Sequence, residues 1–273
     1  MKRGVLGVPE PSSLGAADGI TGVESTVHRR TTDAPGVDEL TAALNVQEQR
    51  TFGGGTDYYV GEALRERTVE DKSYKVEDGQ IRERTTVGNV VQDYTRFVVV
   101  EAAANGSHSG FVLVSSSSGA FAFGMVARQN TGRIRAADLN LGSFYLDRED
   151  TFTPTTSGGP TSSFDAGKLT AWGDDVLEDE DLSSLLNAAV RHDRLNQLAG
   201  EYIYEDGSGS GFPYKVNMAR SGYVEVWDPN DLTTGQFLTW VRTEVLPYAG
   251  FEEDEDDEQS TLPGTDDEND ENE

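Results

Sequence analysis

The longest apolar runs of the chain fall between Val87 and Gln129. Residues 94–100 read YTRFVVV, with three adjacent valines that lose rotamer freedom in a helix and suit a pleated surface. Alternation sets Tyr94, Arg96, Val98 and Val100 on one face and Thr95, Phe97 and Val99 on the other. Both faces are largely apolar, which predicts a central strand covered on both sides. The turn-rich segment 105–110 (NGSHSG) follows, then a second strand over 111–115 (FVLVS). A third strand is predicted over 120–128, where Phe121, Phe123 and Met125 alternate with Ala120, Ala122 and Gly124. One side of it is bulky and the other small, so a neighbour is expected to pack closely on the small side.

Upstream, residues 1–35 have no period and are expected to be disordered or draped. A helix is predicted over 37–49 from the stripe Val37, Leu40, Ala43 and Leu44, and it stops at the glycine run Gly53, Gly54 and Gly55. That run lacks the lysine of a phosphate-binding loop and the third glycine of a dinucleotide fingerprint, so it reads as a connector. The repeated Arg-Glu-Arg-Thr at 65–68 and 82–85 flanks Asp78-Gly79, the signature of a hairpin tip. Glu between the arginines predicts cross-strand pairing of Arg with Glu on an exposed face.

Downstream, Leu139, Leu141, Phe144 and Leu146 read as a strand, or a strand and turn. Residues 151–164 read as a Pro/Gly/Ser/Thr linker, and 169–172 as a short strand. Acids at 178–181 lead a helix carrying Leu182, Leu185, Leu186, Ala189 and Val190, which kinks or restarts near His192 and is capped by Gly200. A strand at 201–205, a flexible loop at 206–211 and a hairpin from 214–219 to 223–227 follow. A last helix runs from Asp228 through Val245 and is ended by Pro247. The expected organisation is a draped segment 1–35, a β-rich core 36–150, a linker 151–164, an α+β part 165–250 that packs on the core or forms a small second unit, and a disordered acidic tail 251–273. The fold class that follows is α+β: an antiparallel sheet covered by N- and C-terminal helices, with a β-sandwich bearing appended helices as the alternative.

Charge changes the picture more than length does. The 273 residues carry 22 Lys plus Arg against 49 Asp plus Glu, a formal net charge of −27. The last 22 positions hold 13 of the acids, and the rest of the chain still has 36 acids against 22 bases. The acidity is therefore spread over the body, which argues against mimicry of a polyanion on one face. Five bases are Lys and 17 are Arg. At molar salt the Debye length is about 3 Å and such self-repulsion is screened. In composition the chain resembles the proteins of extremely halophilic archaea, a resemblance that names no family. No stretch approaches the ~20 apolar residues that span a bilayer. The N-terminus lacks a signal-peptide core, so the expected location is cytoplasmic.

Candidate chemistry is sparse. Cys is absent, which removes disulfides and thiolate metal ligands, and neither a metal nor a cofactor is expected. The three histidines, His28, His108 and His192, lack the close spacing of a zinc motif. The acids at Asp174, Asp175 and 178–181 lack the glycine-centred spacing of a calcium loop. Ser115, Ser116, Ser117 and Ser118 before Gly119 only loosely resemble a nucleophile elbow, because a strand is expected to follow. Arg128, Arg133 and Arg135, near Phe121, Phe123, Phe144 and Tyr145, are the candidates for nucleic-acid binding. Three functions follow. The leading one is a noncatalytic interaction or assembly protein adapted to high salt, with a protein partner or self-association. The second is a nucleic-acid accessory protein using Arg128, Arg133 and Arg135. The third is a hydrolase or metal-dependent enzyme using Ser117, His108 or His192.

Overall fold

A computed structural model describes residues 1–10, 19–32, 37–51, 55–77, 80–103, 109–130, 132–159, 169–172, 180–191, 194–205, 211–228 and 231–251. In chain order the elements are β1 (Arg3–Pro9), β2 (Thr26–Thr31), β3 (Glu39–Thr51), β4 (Asp57–Glu77), β5 (Gln80–Val100), β6 (Phe111–Val114), α1 (Phe121–Ala127), β7 (Ile134–Ala136), β8 (Asp138–Leu139) and α2 (Leu141–Leu146). They continue with β9 (Thr153–Gly159), β10 (Leu169–Trp172), α3 (Glu180–Arg191), β11 (Gln197–Glu205), β12 (Gly211–Ala219), β13 (Tyr223–Asp228), α4 (Thr234–Trp240) and β14 (Ala249–Gly250). One antiparallel sheet runs in the order β10-β9-β11-β12-β13-β1-β6-β5-β4-β3-β2, with β7 pairing the far end of β1.

Strand β1 stands at the middle of that order. Val5 pairs with Tyr223 of β13 on one side and with Val114 of β6 on the other. The expectation of a draped N-terminus is corrected here: the short run Val5, Leu6 and Val8 is buried, because a strand with neighbours on both edges needs few residues to be covered. Gly7 lies directly under α1. A Cβ there would meet the Phe123 ring at 2.6 Å, so the residue that weakens the strand in isolation is what lets the helix settle on it.

The central strands are apolar on both faces. Leu6, Val98, Val100, Phe111 and Leu113 belong to one core, together with Phe144 of α2, Leu186 of α3 and Phe237 and Trp240 of α4. Val5, Phe97, Val99, Val112 and Val114 belong to a second core on the opposite face, closed by Ala122, Phe123, Met125 and Val126 of α1. The alternation predicted for 94–100 holds with both faces covered over 97–100, whereas Tyr94 and Arg96 are exposed.

Other expectations are corrected. Residues 37–49 are not a helix: Glu39–Thr51 is strand β3, paired with β2 and β4. Leu40 and Leu44, both buried, are four apart, a spacing that satisfies a period of 2 as well as one of 3.6. Residues 120–128 are not a strand but a 3₁₀ turn (Ser117–Ala120) running into α1. The buried set Ala122, Phe123, Met125 and Val126 has helical spacing. Gly124, placed on the supposed close-packed side, is exposed, and a Cβ added there would meet nothing within 4 Å. The stretch 151–164 contains strand β9, since Thr and Ser pair in a sheet as readily as they turn. Gly200 caps no helix. It lies in β11, where a Cβ would strike the Phe152 ring. Leu139 is in β8, but Leu141, Phe144 and Leu146 form the helix α2, started by the Asn140 side chain accepting from the Ser143 amide at 2.8 Å.

Strand β10, the first part of helix α3 and the β12–β13 hairpin stand where the pattern placed them, but Gln197–Gly200, expected to belong to a restarted helix, opens β11, and α4 begins at Thr234, not at Asp228, which ends β13. Gly222 makes that hairpin turn with φ +84°, a conformation that favours glycine. Helix α4 begins with a capping box between Thr233 and Gln236 and passes through a π turn (Val241–Val245) into a 3₁₀ turn holding Pro247. Of the expected loop at 206–211, Gly211 opens β12 and 206–210 lie outside the described residues, as does the tail from 252.

The β4–β5 hairpin is the longest element. Its strands pair from Tyr58↔Val100 to Glu77↔Gln80, while β3 leaves β4 at Arg65 and β6 leaves β5 at Phe97. Beyond that point 66–77 and 80–92 pair with each other and with no other strand among the described residues, and they form a two-stranded arm about 40 Å long. The side chains of the expected Arg–Glu pairing at 82–85 lie outside the described ones, and only the backbone register is given there. Arg82 stands opposite Lys75, Arg84 opposite Ser73, and Glu83 opposite Tyr74. At the arm's base Arg65 and Arg67 both bond Asp93, at 2.7 and 3.0 Å, which holds its carboxyl below the usual range.

Replacing Leu6, which is fully buried, by Ala should cost about 2–5 kcal/mol and lower the urea midpoint accordingly. A midpoint within error of the parent would contradict the position given to β1.

Candidate functional site

The arginines singled out in the sequence are partly brought together. Strand β7 pairs with the end of β1, and this carries Glu10 to Arg133 (3.7 Å) and Arg135 (3.5 Å). The Glu10 amide also donates to the Arg133 carbonyl at 2.7 Å. Arg128 sits at the C-terminal end of α1, its amide bonded to the Gly124 carbonyl. Glu10, more than a hundred positions away in sequence, is the partner that sequence reading missed. The aromatic residues are divided between the two faces of the sheet: Phe123 is in the core under α1, and Phe144 and Tyr145 are in the core under α2. Phe121 is half-buried, with the Arg65 guanidinium 4.8 Å above its ring.

The serine run does lie between a strand and a helix, contrary to expectation, because α1 replaces the expected strand. Three of its four hydroxyls have nearby hydroxyl partners. Ser115 Oγ is 3.0 Å from Thr95 Oγ1, and Ser116 Oγ is 2.8 Å from Ser118 Oγ. Ser117 is exposed at the start of the 3₁₀ turn. His28 is exposed on β2; His108 and His192 lie outside the described residues, as do Gly53, Gly54, Asp174 and Asp175. Among the described residues, no group of three His, Asp or Glu is placed to hold a metal ion, and no helix is long and apolar enough to cross a membrane.

A concave site lies where no motif pointed. The core under α1 reaches β13 only at Tyr223 and leaves the same face of β9, β11 and β12 uncovered. On that face Thr153, Glu201, Lys215 and Asp228 lie side by side in register on four strands. Two β-bulges flank the row. Between Lys215↔Asp228 and Val216↔Val226 the extra residue is Trp227, and between Ala199↔Thr156 and Gly200↔Pro154 it is Thr155. A bulge bends its strand and re-aims the extra side chain. Both extra residues line one groove of about 590 Å³, with Thr151, Thr153, Glu201, Ile203 and Lys215. Trp227 is 46 % exposed and Ile203 51 %. Lys215 Nζ and Glu201 Oε2 are 3.5 Å apart across the floor.

The floor is held from behind. Tyr202, on the buried side of β11, accepts a hydrogen bond from Trp240 Nε1, and burial pushes its phenol far upward. Arg148 lies 4.1 Å over the Phe144 ring, bonds Glu244 at 2.5 Å and donates to the Tyr248 hydroxyl at 2.9 Å. Comparison with protein-family models, with curated proteins and with solved structures finds no match for this chain.

The two ion-pair systems differ in burial and so in weight. Arg148 and Glu244 are mostly buried, whereas Arg133 is largely exposed. Glu244→Gln should cost about 2–3 kcal/mol and Glu10→Gln less than about 1 kcal/mol in urea unfolding. Equal losses would contradict the structural weight given to Arg148.

Proposed function

We propose that the chain is a noncatalytic intracellular interaction or assembly protein adapted to concentrated salt, and that it associates with further copies of itself through the β4–β5 arm. The arm carries this reading. A two-stranded ribbon is at best marginally stable alone in water, and this one extends about 40 Å past the sheet that supports its base. Spread carboxylates keep the body soluble, and molar salt screens the repulsion between copies while leaving contacts at ion-pair distance in place.

The test is size exclusion with light scattering in molar potassium chloride. Wild type should elute as a closed oligomer, and a variant with 70–88 replaced by a two-residue turn should elute as a folded monomer. A monomeric wild type, or an oligomer unaffected by the shortening, would refute the arm's role. The salt adaptation is tested separately: the thermal midpoint should rise from dilute buffer to molar potassium chloride, and a flat response would refute it.

A further inference from the structure

We infer that the groove around Trp227 is a binding site for a neutral, hydroxyl-rich ligand, a carbohydrate chain, independent of the arm. Three observations converge. The first is that the groove is built rather than left over: two separate irregularities, on β9 and on β13, each deliver their extra residue, Thr155 and Trp227, into the same hollow. Bulges cost ladder hydrogen bonds, and two of them framing one concavity give the sheet a curvature that regular pairing would not.

The second is the state of Trp227. An indole offers one of the largest apolar faces of any side chain, yet this one is 46 % exposed on an open sheet face beside Ile203, itself 51 % exposed. Burying that face stabilises whatever covers it. A pyranose ring presents a flat array of C–H groups of matching extent, with hydroxyls at its rim.

The third is the polar complement. Thr153 and Thr155 offer hydroxyls that both donate and accept, Lys215 donates, and Glu201 accepts. Sugar hydroxyls also do both, so each finds a partner here. The Lys215–Glu201 pair is half exposed at 3.5 Å, and such a pair contributes little to stability, so its two ends are available to a ligand at small cost. These two lining charges cancel, Asp228 beside Lys215 adds a negative one, and a body of net charge −27 disfavours a polyanion. Neutral hydroxyls also suit a salt-rich solvent, where recognition by charge is screened. The volume, about 590 Å³, is in the range of small-ligand sites.

The experiment is titration of the full chain in molar potassium chloride with maltohexaose, cellohexaose and N-acetylchitohexaose, read by tryptophan emission and by calorimetry. At least one should give a saturable blue shift whose affinity changes less than about twofold between low and high salt. Trp227→Ala should weaken binding at least about a hundredfold and Trp227→Phe by about tenfold or less, with melting temperatures within a few degrees of wild type because the residue packs in no core. Lys215→Ala should weaken it about tenfold. The variant with a shortened arm should bind as wild type does, so failure of the arm reading and failure of this one are distinguishable. No saturable response to any of the three, unchanged affinity in Trp227→Ala, or a salt-sensitive response to poly-uridylate in place of the sugars would overturn the inference.

Discussion

The structure depends on the pairing of one short strand on both of its edges. β1 is the strand through which β13 and its neighbours join β6 and its neighbours in one sheet. Its middle residues are buried on both faces, so the core under α2, α3 and α4 and the core under α1 each receive side chains from the same few positions. Leu6 illustrates the coupling. Its amide donates to the Gly222 carbonyl, its carbonyl accepts from the Ala137 amide, and its side chain fills the larger core. A strand with partners on both edges and cover on both faces gives up almost all solvent contact, which is the condition under which backbone hydrogen bonds and apolar burial reinforce one another.

This centre also determines what is left open. α1 covers the sheet from β1 toward β3, and the larger helical layer covers the opposite face from β4 toward β11. The uncovered quarters therefore lie diagonally. One is the face of β9, β11, β12 and β13 that carries the groove. At the other end of the sheet the long hairpin runs out beyond β3 and β6. The arm and the groove are separated by the central strands, so the two activities proposed for them need not share residues.

Much of this was legible in the sequence, for reasons that separate local from distant determinants. The valines of 98–100, the apolar 111–114, the acid-led stripe of α3 and the Ser221-Gly222 turn declare themselves within a few positions. Leu40 and Leu44 do not, because their spacing fits helix and strand alike and pairing with β4 decides between them. Alternation of Phe121, Phe123 and Met125 pointed to a strand, but the side chains that α1 buries are Ala122, Phe123, Met125 and Val126. β1 was unreadable because its short apolar run with two glycines finds its strand partners more than a hundred positions away. The groove was hidden for the same reason: a bulge is a property of two strands in register, and neither Thr155 nor Trp227 is distinctive by itself. Glu10 beside Arg133 and Arg135 follows only once β7 is laid on β1.

Amide hydrogen exchange tests the position of β1 most directly. Peptides covering Arg3–Pro9 should exchange as slowly as those covering Phe111–Val114, by global unfolding alone, in molar potassium chloride. Exchange of the N-terminal peptide within seconds, while β6 stays protected, would contradict the account and leave the two halves of the sheet without their shared strand.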